Sequence, residues 1–464
     1  MQTRYTSADQ WAEAKDGVIP APYALEEGEQ IIDQYLEPVI FHNVNGPDIG
    51  VTTCGVIVKD GLYFKDLDNS GELAPYKDWR LSPEQRAEDM VKHLRLDQQA
   101  GLVLNTLFNS PVVPTRAEAT NAEGKLELGK IYKHHNPGEK PMPGPLPGMT
   151  VSIDDSHVLE KHIAAGVYRG DMRCEAGMVA LYHNAGTQML EYEACKGGVA
   201  IPYSLHTNPI NIGYPDSLGI GAAVIGDGNT DMVYEMAQTD RKMMKAEGLN
   251  IMYGPQVDVT SDPRWPRTSG TYGERPDVTS DIAEALVKGY QDGDNGLNEG
   301  SVVLTIKHFP GDAPSENGFE PHVPIGQWRI YRTPGSMEKY HLPPFQRAFD
   351  HKVSSIMPDY SRIATDGRAV PQTYRGEITS TEEVPSAYSK ELITDLARNK
   401  MGFDGYVNSD SGITTVQIYG VENLTEPERY AKAISAGTDV IGGNTDPENI
   451  VKAVEDGLLP KADL

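Results

Sequence analysis

The sequence predicts an α/β protein whose main domain is a (β/α)8 TIM-type barrel, with an N-terminal extension and a long surface insertion. Short runs of β-branched residues alternate with amphipathic helical segments through most of the 464 residues. That alternation is typical of a parallel sheet covered by helices. The length suits one large barrel with additions, because such barrels commonly take ~250 residues. The competing doubly wound sheet would carry a GxGxxG turn after its first strand, and none is found there.

The N-terminal extension is predicted over residues 1–80, and the barrel is expected to occupy residues 81–464. The extension contains the alternating apolar run VTTCGVIV (51–58) and ends near DWRLSPEQRAEDM (78–90). Ser82, Pro83 and Glu84 have the residue types of a helix start, so the barrel should begin close to them.

Seven segments have the composition of parallel strands that end in polar residues. Between them lie amphipathic segments such as DMVYEMAQTDRKMMKAEG, DIAEALVKGYQDG and SKELITDLARNKMG, each of which ends on glycine as helices often do. The sequence shows no eighth strand. The seven segments are GLVLNTL (101–107), VAIPYSL (199–205), LNIMYGPQVDV (249–259), SVVLTIKHF (301–309), VSSIMPDY (353–360), GYVNSD (405–410) and TDVIGG (438–443).

The surface insertion is predicted over residues 108–150. They include NPGEKPMPGPLPG (136–148) and show no apolar periodicity, which is typical of a long loop. The insertion is expected to lie near the mouth of the active site.

The composition excludes two classes of partner. The chain has 41 Lys and Arg against 67 Asp and Glu, a formal charge of −26, and no stretch gathers basic residues. Nucleic acid is therefore not expected as a partner. No apolar run approaches the ~18 to 20 residues of a membrane span. Cys54, Cys174 and Cys195 have neither CxxC nor metal-ligand spacing, so disulfides are not expected to organise the fold.

Four of the strands are followed by side chains suited to chemistry on sugars. Lys307 and His308 follow SVVLTI, Asp410 follows GYVNS, Tyr360 follows SSIMPD, and Asn208 lies just beyond VAIPYSL. Barrel enzymes place their working groups at these strand ends. A carboxylate among basic side chains can stabilise an oxocarbenium-like transition state. Taken singly, such residues are equally compatible with a helix cap or an internal ion-pair network.

Four motifs in this order resemble those of glycoside hydrolase family 3. They are SDPRWPRTSGTYGE (261–274), KHFPGDAPSENG (307–318), SSIMPDY (354–360) and GFDGYVNSD (402–410). The similarity runs from about residue 80 to the C-terminus. ENG, PH and HLPPF further resemble a bacterial branch of β-glucosidases and β-xylosidases. The resemblance implies a retaining exo-β-glycosidase that hydrolyses terminal β-D-glucosyl or xylosyl residues of an oligosaccharide or aryl β-glycoside.

The resemblance also assigns roles to individual residues. Asp410 matches the nucleophile that forms a covalent glycosyl-enzyme. Arg267, Lys307 and His308 match the residues that hold sugar hydroxyls in the first subsite. Tyr360 matches an aromatic residue whose hydroxyl could hold the nucleophile in position.

Three positions depart from the family pattern. Asn208 stands where the family usually has an aspartate that grips two sugar hydroxyls, so charge-assisted hydrogen bonds are lost there. Ser411 replaces a tryptophan after the nucleophile, and Pro266 replaces a glycine before Arg267. These departures bear on which sugar is bound more than on the reaction.

The second acid of a retaining mechanism, about 5 to 5.5 Å from the nucleophile, has no certain place in this chain. Most of the family takes it from a C-terminal α/β domain, and this sequence ends at VEDGLLPKADL. A separate or downstream domain is therefore expected to supply it. A smaller β-N-acetylglucosaminidase branch uses an Asp-x-His pair after KHFPG, where this chain has Glu320 and His322. Glu316 is a further candidate.

The segment DLDNSGELAPYKD (66–78) resembles the opening of a calcium loop. Asp66, Asp68 and Ser70 offer oxygens at alternate positions. Lys77 stands at the closing position, where a glutamate belongs, and Asp78 comes one residue late. A structural calcium ion is therefore expected to be possible here, with a plain aspartate-capped turn as the alternative; no other cofactor is expected.

Three functions stay open at this stage. The β-glucosidase or β-xylosidase is the leading hypothesis, with a β-N-acetylglucosaminidase using the His322 loop as the next. A non-catalytic glycan-binding barrel is the third. The N-terminus MQTRYTSADQWAEAK lacks a signal-peptide pattern; the family resemblance makes a periplasmic or secreted location plausible, and a cytoplasmic one stays open.

Overall fold

Eight parallel strands close into a barrel, which confirms the predicted fold class. The computed structural model describes residues 14–22, 38–109, 122, 142–143, 150–151, 161–169, 204–207, 215–380 and 382–464. Each strand pairs with the next in sequence, and β8 pairs with β1 to close the sheet. The strands are β1 (Leu104–Asn109), β2 (Ala165–Arg169), β3 (Ser204–Thr207), β4 (Leu249–Met252), β5 (Val303–Phe309), β6 (Ser355–Pro358), β7 (Tyr406–Ser411) and β8 (Val440–Gly442).

The strand that the sequence did not reveal is β2. It pairs with β1 on one side and β3 on the other. Its first residues, Ala165 and Gly166, are small and have low strand propensity. The other seven strands fall on or beside the predicted segments, although β3 begins at Ser204 and β4 ends at Met252, later and earlier than predicted.

The helices of the described chain each bury part of their surface, except Pro83–His93, which has no buried residue. The predicted segments at 231–248 and 281–293 lie in α-helices, and the one at 389–402 forms a π-helix. Gly248 ends its helix at φ +81°, a conformation that favours glycine. The helices are α1 (Pro83–His93), α2 (Leu96–Leu102), α3 (Ser217–Asp227), α4 (Asp231–Glu247), α5 (Pro276–Tyr290), α6 (Leu342–Asp350), the π-helix Glu391–Lys400, α7 (Glu426–Ser435) and α8 (Pro447–Glu455).

The predicted helix start at Ser82 opens α1. The Ser82 hydroxyl accepts a hydrogen bond from the Gln85 amide at 3.3 Å, and the Gln85 side chain accepts one from the Ser82 amide at 3.1 Å. This reciprocal capping satisfies two amides that the helix itself cannot pair.

The N-terminal segment forms small antiparallel sheets of its own. Val18–Ile19, Gly55–Lys59 and Leu62–Asp66 make one sheet, and Val39–Phe41 pairs with Ile49–Val51. Of the predicted insertion, Met142–Pro143 pairs with Thr150–Val151 in the connection between β1 and β2. Most of that insertion lies outside the described residues, so its character as a surface loop stays a prediction. No helix in the described part of the chain is both long enough and apolar enough to cross a membrane.

In the predicted calcium loop, the side-chain ammonium of Lys77 lies among the oxygens that were predicted to bind calcium. The Lys77 ammonium is fully buried. It donates to Asp66 Oδ1 at 2.8 Å and to Ser70 Oγ and the Glu72 carbonyl at 2.9 Å each, and it also contacts Asp68. The oxygens predicted as metal ligands therefore surround an ammonium group at the position expected for calcium.

Asp78 was wrongly predicted to join this cluster. Its carboxylate pairs with Arg80, at 2.6 and 2.8 Å. The turn directs Lys77, one residue earlier, into the loop instead.

Candidate active site

Asp410 lies at the C-terminal end of β7, at the end of the barrel where the working residues were predicted. It is 6% exposed, and its Oδ1 accepts a hydrogen bond from the Ser411 amide at 2.7 Å. Burial alone would raise its pKa, but nearby basic side chains outweigh this effect and hold the pKa of Asp410 below its usual value. The group is therefore an ionised carboxylate at neutral pH. The basic side chains are His308, His322, Lys307 and Arg267.

His308 extends from β5 beside Asp410. Its Nε2 lies 3.7 Å from Asp410 Oδ2 and 3.0 Å from Arg267 Nη2, while Nδ1 lies 2.9 Å from Asp258 Oδ2. Burial and the charge of Arg267 lower the pKa of His308 to about 4. A neutral ring that donates from Nδ1 to Asp258 leaves Nε2 to accept from Arg267, which fixes the tautomer.

Arg267 joins several acidic groups at this end of the barrel. Its Nη1 donates to Asp312 at 3.2 Å and lies 3.7 Å from Glu320 Oε1, while Nη2 reaches His308. The guanidinium side chain is 21% exposed, so it can still meet a ligand. Pro266 before it does not keep the arginine away from the predicted site.

Lys307 precedes His308 and reaches the same region. Its ammonium donates to the Tyr253 carbonyl at 2.8 Å and lies 5.3 Å from the centre of the Tyr253 ring. Its positive charge contributes to the low pKa of Asp410. The structure thus brings together four predicted residues: Asp410, His308, Arg267 and Lys307.

The sequence analysis did not identify Asp258, which organises these side chains. Its buried carboxylate accepts from the His308 amide at 3.2 Å and the Asp312 amide at 2.6 Å, in addition to the His308 ring. Asp312 in turn pairs with Arg329, which also binds Asp359 at 3.1 Å. Asp258 is the last polar residue of the predicted segment LNIMYGPQVDV (249–259), so its position near the end of a predicted strand was an available signal.

Comparison with known proteins identifies the family. Residues 195–464 match the family described as "Glycosyl hydrolase family 3 N terminal domain". The chain belongs to glycoside hydrolase family 3. The "Periplasmic beta-glucosidase/beta-xylosidase" of Dickeya chrysanthemi is 30% identical over 88% of this chain and 61% of its own length. "Beta-glucosidase C" of Emericella nidulans is 34% identical over 58% of this chain and 45% of its own length.

Solved structures share the fold of this family 3 chain. A β-glucosidase of Erythrobacter marinus gives a TM-score of 0.61 at 21% identity, covering 84% of this chain and 44% of that one. A family 3 β-N-acetylglucosaminidase of a Paenibacillus species gives 0.56 at 19% identity, covering 80% and 60%. The chain spans between 45% and 61% of the length of four curated relatives. They are the two named above and two proteins named "Probable beta-glucosidase C" from Aspergillus species.

In this family 3 barrel, Glu320 and His322 form a pair beside Asp410. The Glu320 carboxylate accepts from the His322 amide at 2.8 Å and binds the ring at Nδ1. Burial raises the pKa of Glu320, but the hydrogen bond from His322 and the charge of Arg267 outweigh burial and lower it. Arg267 links this pair to the Asp410 group, because its Nη1 lies 3.7 Å from Glu320 Oε1 and its Nη2 lies 3.0 Å from His308 Nε2.

Tyr360 contacts both this loop and the end of β7, the strand that carries Asp410. Its ring meets the His322 ring edge-on, with centroids 4.8 Å apart. Its buried hydroxyl donates to the carbonyl of Ser411 at 2.8 Å. Tyr360 therefore acts on the backbone next to Asp410, which differs from the predicted bond to the nucleophile's carboxylate.

Two further predicted residues, Glu316 and Asn208, remain to be placed. Glu316 pairs with Arg368 at 3.1 Å, and Arg368 also binds Asp366, so this glutamate belongs to an ion-pair group at the edge of the loop. Its role as the acid stays a prediction. Asn208 lies outside the described residues, and its predicted contact with sugar stays a prediction.

The described residues contain one group of side chains with metal-ligand spacing, formed by Asp258, His308 and Asp312. Their ligand atoms already bind backbone amides, Arg267 and Arg329. Two guanidinium groups on this cluster oppose a second cation, so the group fits an ion-pair network better than a metal centre.

Proposed function

We propose that this chain carries the nucleophile of a retaining exo-β-glycosidase that acts on terminal β-D-glucosyl or β-xylosyl residues. The observation that carries the proposal is the buried carboxylate of Asp410 at a strand end, surrounded by basic groups that keep it ionised. An ionised carboxylate with little water around it can attack an anomeric carbon and stabilise its developing positive charge. The names of the curated relatives support the choice of β-glucosides and β-xylosides.

The reaction would proceed in two displacements. A carboxylate oxygen of Asp410 bonds to the anomeric carbon while the bond to the leaving oxygen breaks, and that oxygen takes up a proton. Water then gives a proton to a base and attacks the same carbon, which releases Asp410 and restores the original configuration. Arg267 and Lys307 would hold sugar hydroxyls, and neutral His308, whose Nδ1 donates to Asp258, would offer Nε2 to them as an acceptor.

His322 is the candidate that we propose for the acid and base within this chain. Its Nδ1 is held by Glu320, which leaves Nε2 available to a leaving oxygen. A carboxylate that orients an imidazole stabilises its protonated form, as in hydrolytic triads. The alternative is a carboxylic acid from a domain outside this chain, and comparing substrates separates the two: aryl glycosides with good leaving groups need no proton, whereas disaccharides do.

The same pair supports a second candidate function, a β-N-acetylglucosaminidase. The notable observation is that Glu320 and His322 are hydrogen-bonded and lie in the site of Asp410. A panel of aryl β-glucosides, β-xylosides and β-N-acetylglucosaminides would distinguish the sugars. A dominant rate with the N-acetyl substrate would overturn the first choice.

A mechanism-based label tests the proposal directly. A 2-deoxy-2-fluoro glycoside forms a slowly hydrolysed ester with the nucleophile, and peptide mass spectrometry should find it on Asp410. Asp404→Asn, an exposed change in the preceding loop, is the matched control and should leave labelling intact. Labelling of another carboxylate, or of none in an active preparation, would refute the role of Asp410.

We also propose a location outside the cytoplasm. Two curated relatives have names that describe them as periplasmic. Cell fractionation of the native protein checks this, and recovery with a cytoplasmic marker enzyme would contradict it.

A further inference from the structure

A cavity separate from the Asp410 site lies between the loops that follow β4 and β5. Its volume is about 440 Å³, within the ~300–1,000 Å³ range of small-molecule sites. Asp410, His308 and Arg267 are absent from its lining. Val259–Asp262 form one wall and Pro314 and Ser315 another.

The cavity shares a wall with the ion network of the active site. The Ser315 hydroxyl accepts from Arg329 at 2.9 Å and donates to the Asp312 carbonyl at 3.2 Å. Arg329 and Asp312 pair with each other, and Asp312 binds Arg267. The cavity is therefore built on rigid, buried structure next to the active site, which is a property expected of a binding site.

Two buried side chains of the lining carry polar atoms without a partner. Tyr331 is 2% exposed and His341 is 4% exposed. Tyr331 Oη and His341 Nδ1 have no hydrogen-bond partner in the described part of the chain. Both atoms are closed to solvent in this structure. A buried polar atom left unpaired costs about 1–3 kcal/mol, so a hydrogen-bonding guest that reached either atom would recover part of this cost.

The charges of the lining indicate a neutral guest. The lining contains two acidic and two basic side chains, so their formal charges cancel. Of these, Arg264 pairs with Asp262 at 2.6 Å. Burial lowers the pKa of His341 to about 4, so its ring is neutral at neutral pH. The four charged residues are Asp262, Glu274, Arg264 and Arg332.

The remaining lining suits a polyhydroxylated ring. Thr260, Ser261, Thr333 and Ser336 add hydroxyls that both donate and accept. Tyr340 is 40% exposed at the same cavity, with the Lys339 ammonium 4.8 Å from the centre of its ring. Its aromatic surface can pack against the C–H groups of a pyranose. Carboxylate and guanidinium groups can each bind two neighbouring hydroxyls. We propose that this cavity is a second carbohydrate-binding site, which takes a neutral mono- or disaccharide apart from the Asp410 centre.

Calorimetric titration with thiocellobiose, whose sulfur linkage resists hydrolysis, tests the site. Wild-type chain should show a class of sites that Tyr340→Ala weakens at least tenfold. The matched control is Tyr234→Ala on α4, a tyrosine of similar exposure at 38% that does not line the cavity. It should change the affinity less than twofold.

A second pair of variants distinguishes a specific loss of binding from a loss caused by misfolding. Glu274→Gln keeps the shape of an exposed lining residue and should also weaken binding, whereas Glu235→Gln on α4 should leave it unchanged. Absence of any class of sites sensitive to Tyr340→Ala and Glu274→Gln would overturn the proposal, as would equal losses in the control variants. Hydrolysis of an aryl glycoside by Tyr340→Ala should stay at the wild-type rate, so failure of this site and failure of the proposed function give different results.

Discussion

Replacing Lys77 with methionine should destabilise the N-terminal unit by about 3–5 kcal/mol, the usual cost of removing one partner from a buried ion pair. The ammonium is fully buried and has hydrogen bonds to two side chains and a backbone carbonyl, plus its contact with Asp68. Without it, Asp66 keeps the bond from the Gly71 amide at 2.9 Å. Methionine fills a similar volume, so the loss reports the missing charge rather than a cavity.

The loss of stability in the Lys77→Met variant should depend on pH, because Asp66 titrates. Burial raises the pKa of Asp66 even with Lys77 present, and removal of Lys77 should raise it further. A carboxyl group whose pKa is raised in the folded state favours folding below its ordinary pKa and loses that contribution as the pH rises through the raised value. The deficit of the variant should therefore shrink when the pH is lowered toward 4.

Hydrogen exchange of the strands Gly55–Lys59 and Leu62–Asp66 measures the opening free energy of this unit. Lys352→Met is the matched control, because Lys352 forms an exposed pair with Asp404 at 2.7 Å and such pairs contribute about 0–1 kcal/mol. Millimolar calcium should not stabilise the wild-type chain, since Lys77 fills the loop. Equal losses in both variants, or a wild-type melting temperature that rises with calcium, would refute this reasoning.

Three further predictions concern the active site and its surroundings. Asp410→Asn should lower kcat by more than ~10⁴-fold, as loss of a covalent nucleophile can, with sugar affinity by calorimetry largely kept; substantial residual turnover would contradict it. His322→Ala should lower the glycosylation rate of disaccharides by ~10²–10⁴-fold and that of nitrophenyl glycosides much less; equal losses would place the proton donor elsewhere. Stability in urea should fall as the pH drops from about 6.5 to 4, because His308 and His341 have pKa values lowered to about 4 and protonation then favours the unfolded chain. His341→Gln should make this slope shallower, and an unchanged slope would show that His341 does not contribute.

The sequence by itself predicted the fold class, seven of the eight strands, and the grouping of Asp410 with basic side chains. Strand periodicity and polar residues at strand ends are local signals, and parallel strands of a closed barrel bring their C-terminal ends together. Asp410, His308 and Lys307 could therefore be placed in one site from their positions at strand ends, and the resemblance to family 3 added Arg267. The strand at Ala165–Arg169 escaped because small residues give little strand signal.

Only the tertiary structure decided which partner each charged group meets. Lys77 was recognisable as a break in the calcium pattern, but its position inside the loop depends on the path of a turn. Asp258 holds His308 from 50 residues away, and Glu316 pairs with Arg368 rather than with the site. Such pairings depend on distances of a few ångströms between segments far apart in sequence, because electrostatic and hydrogen-bond energies change steeply over that range. A one-dimensional pattern of residues cannot fix those distances, whereas the packed barrel does.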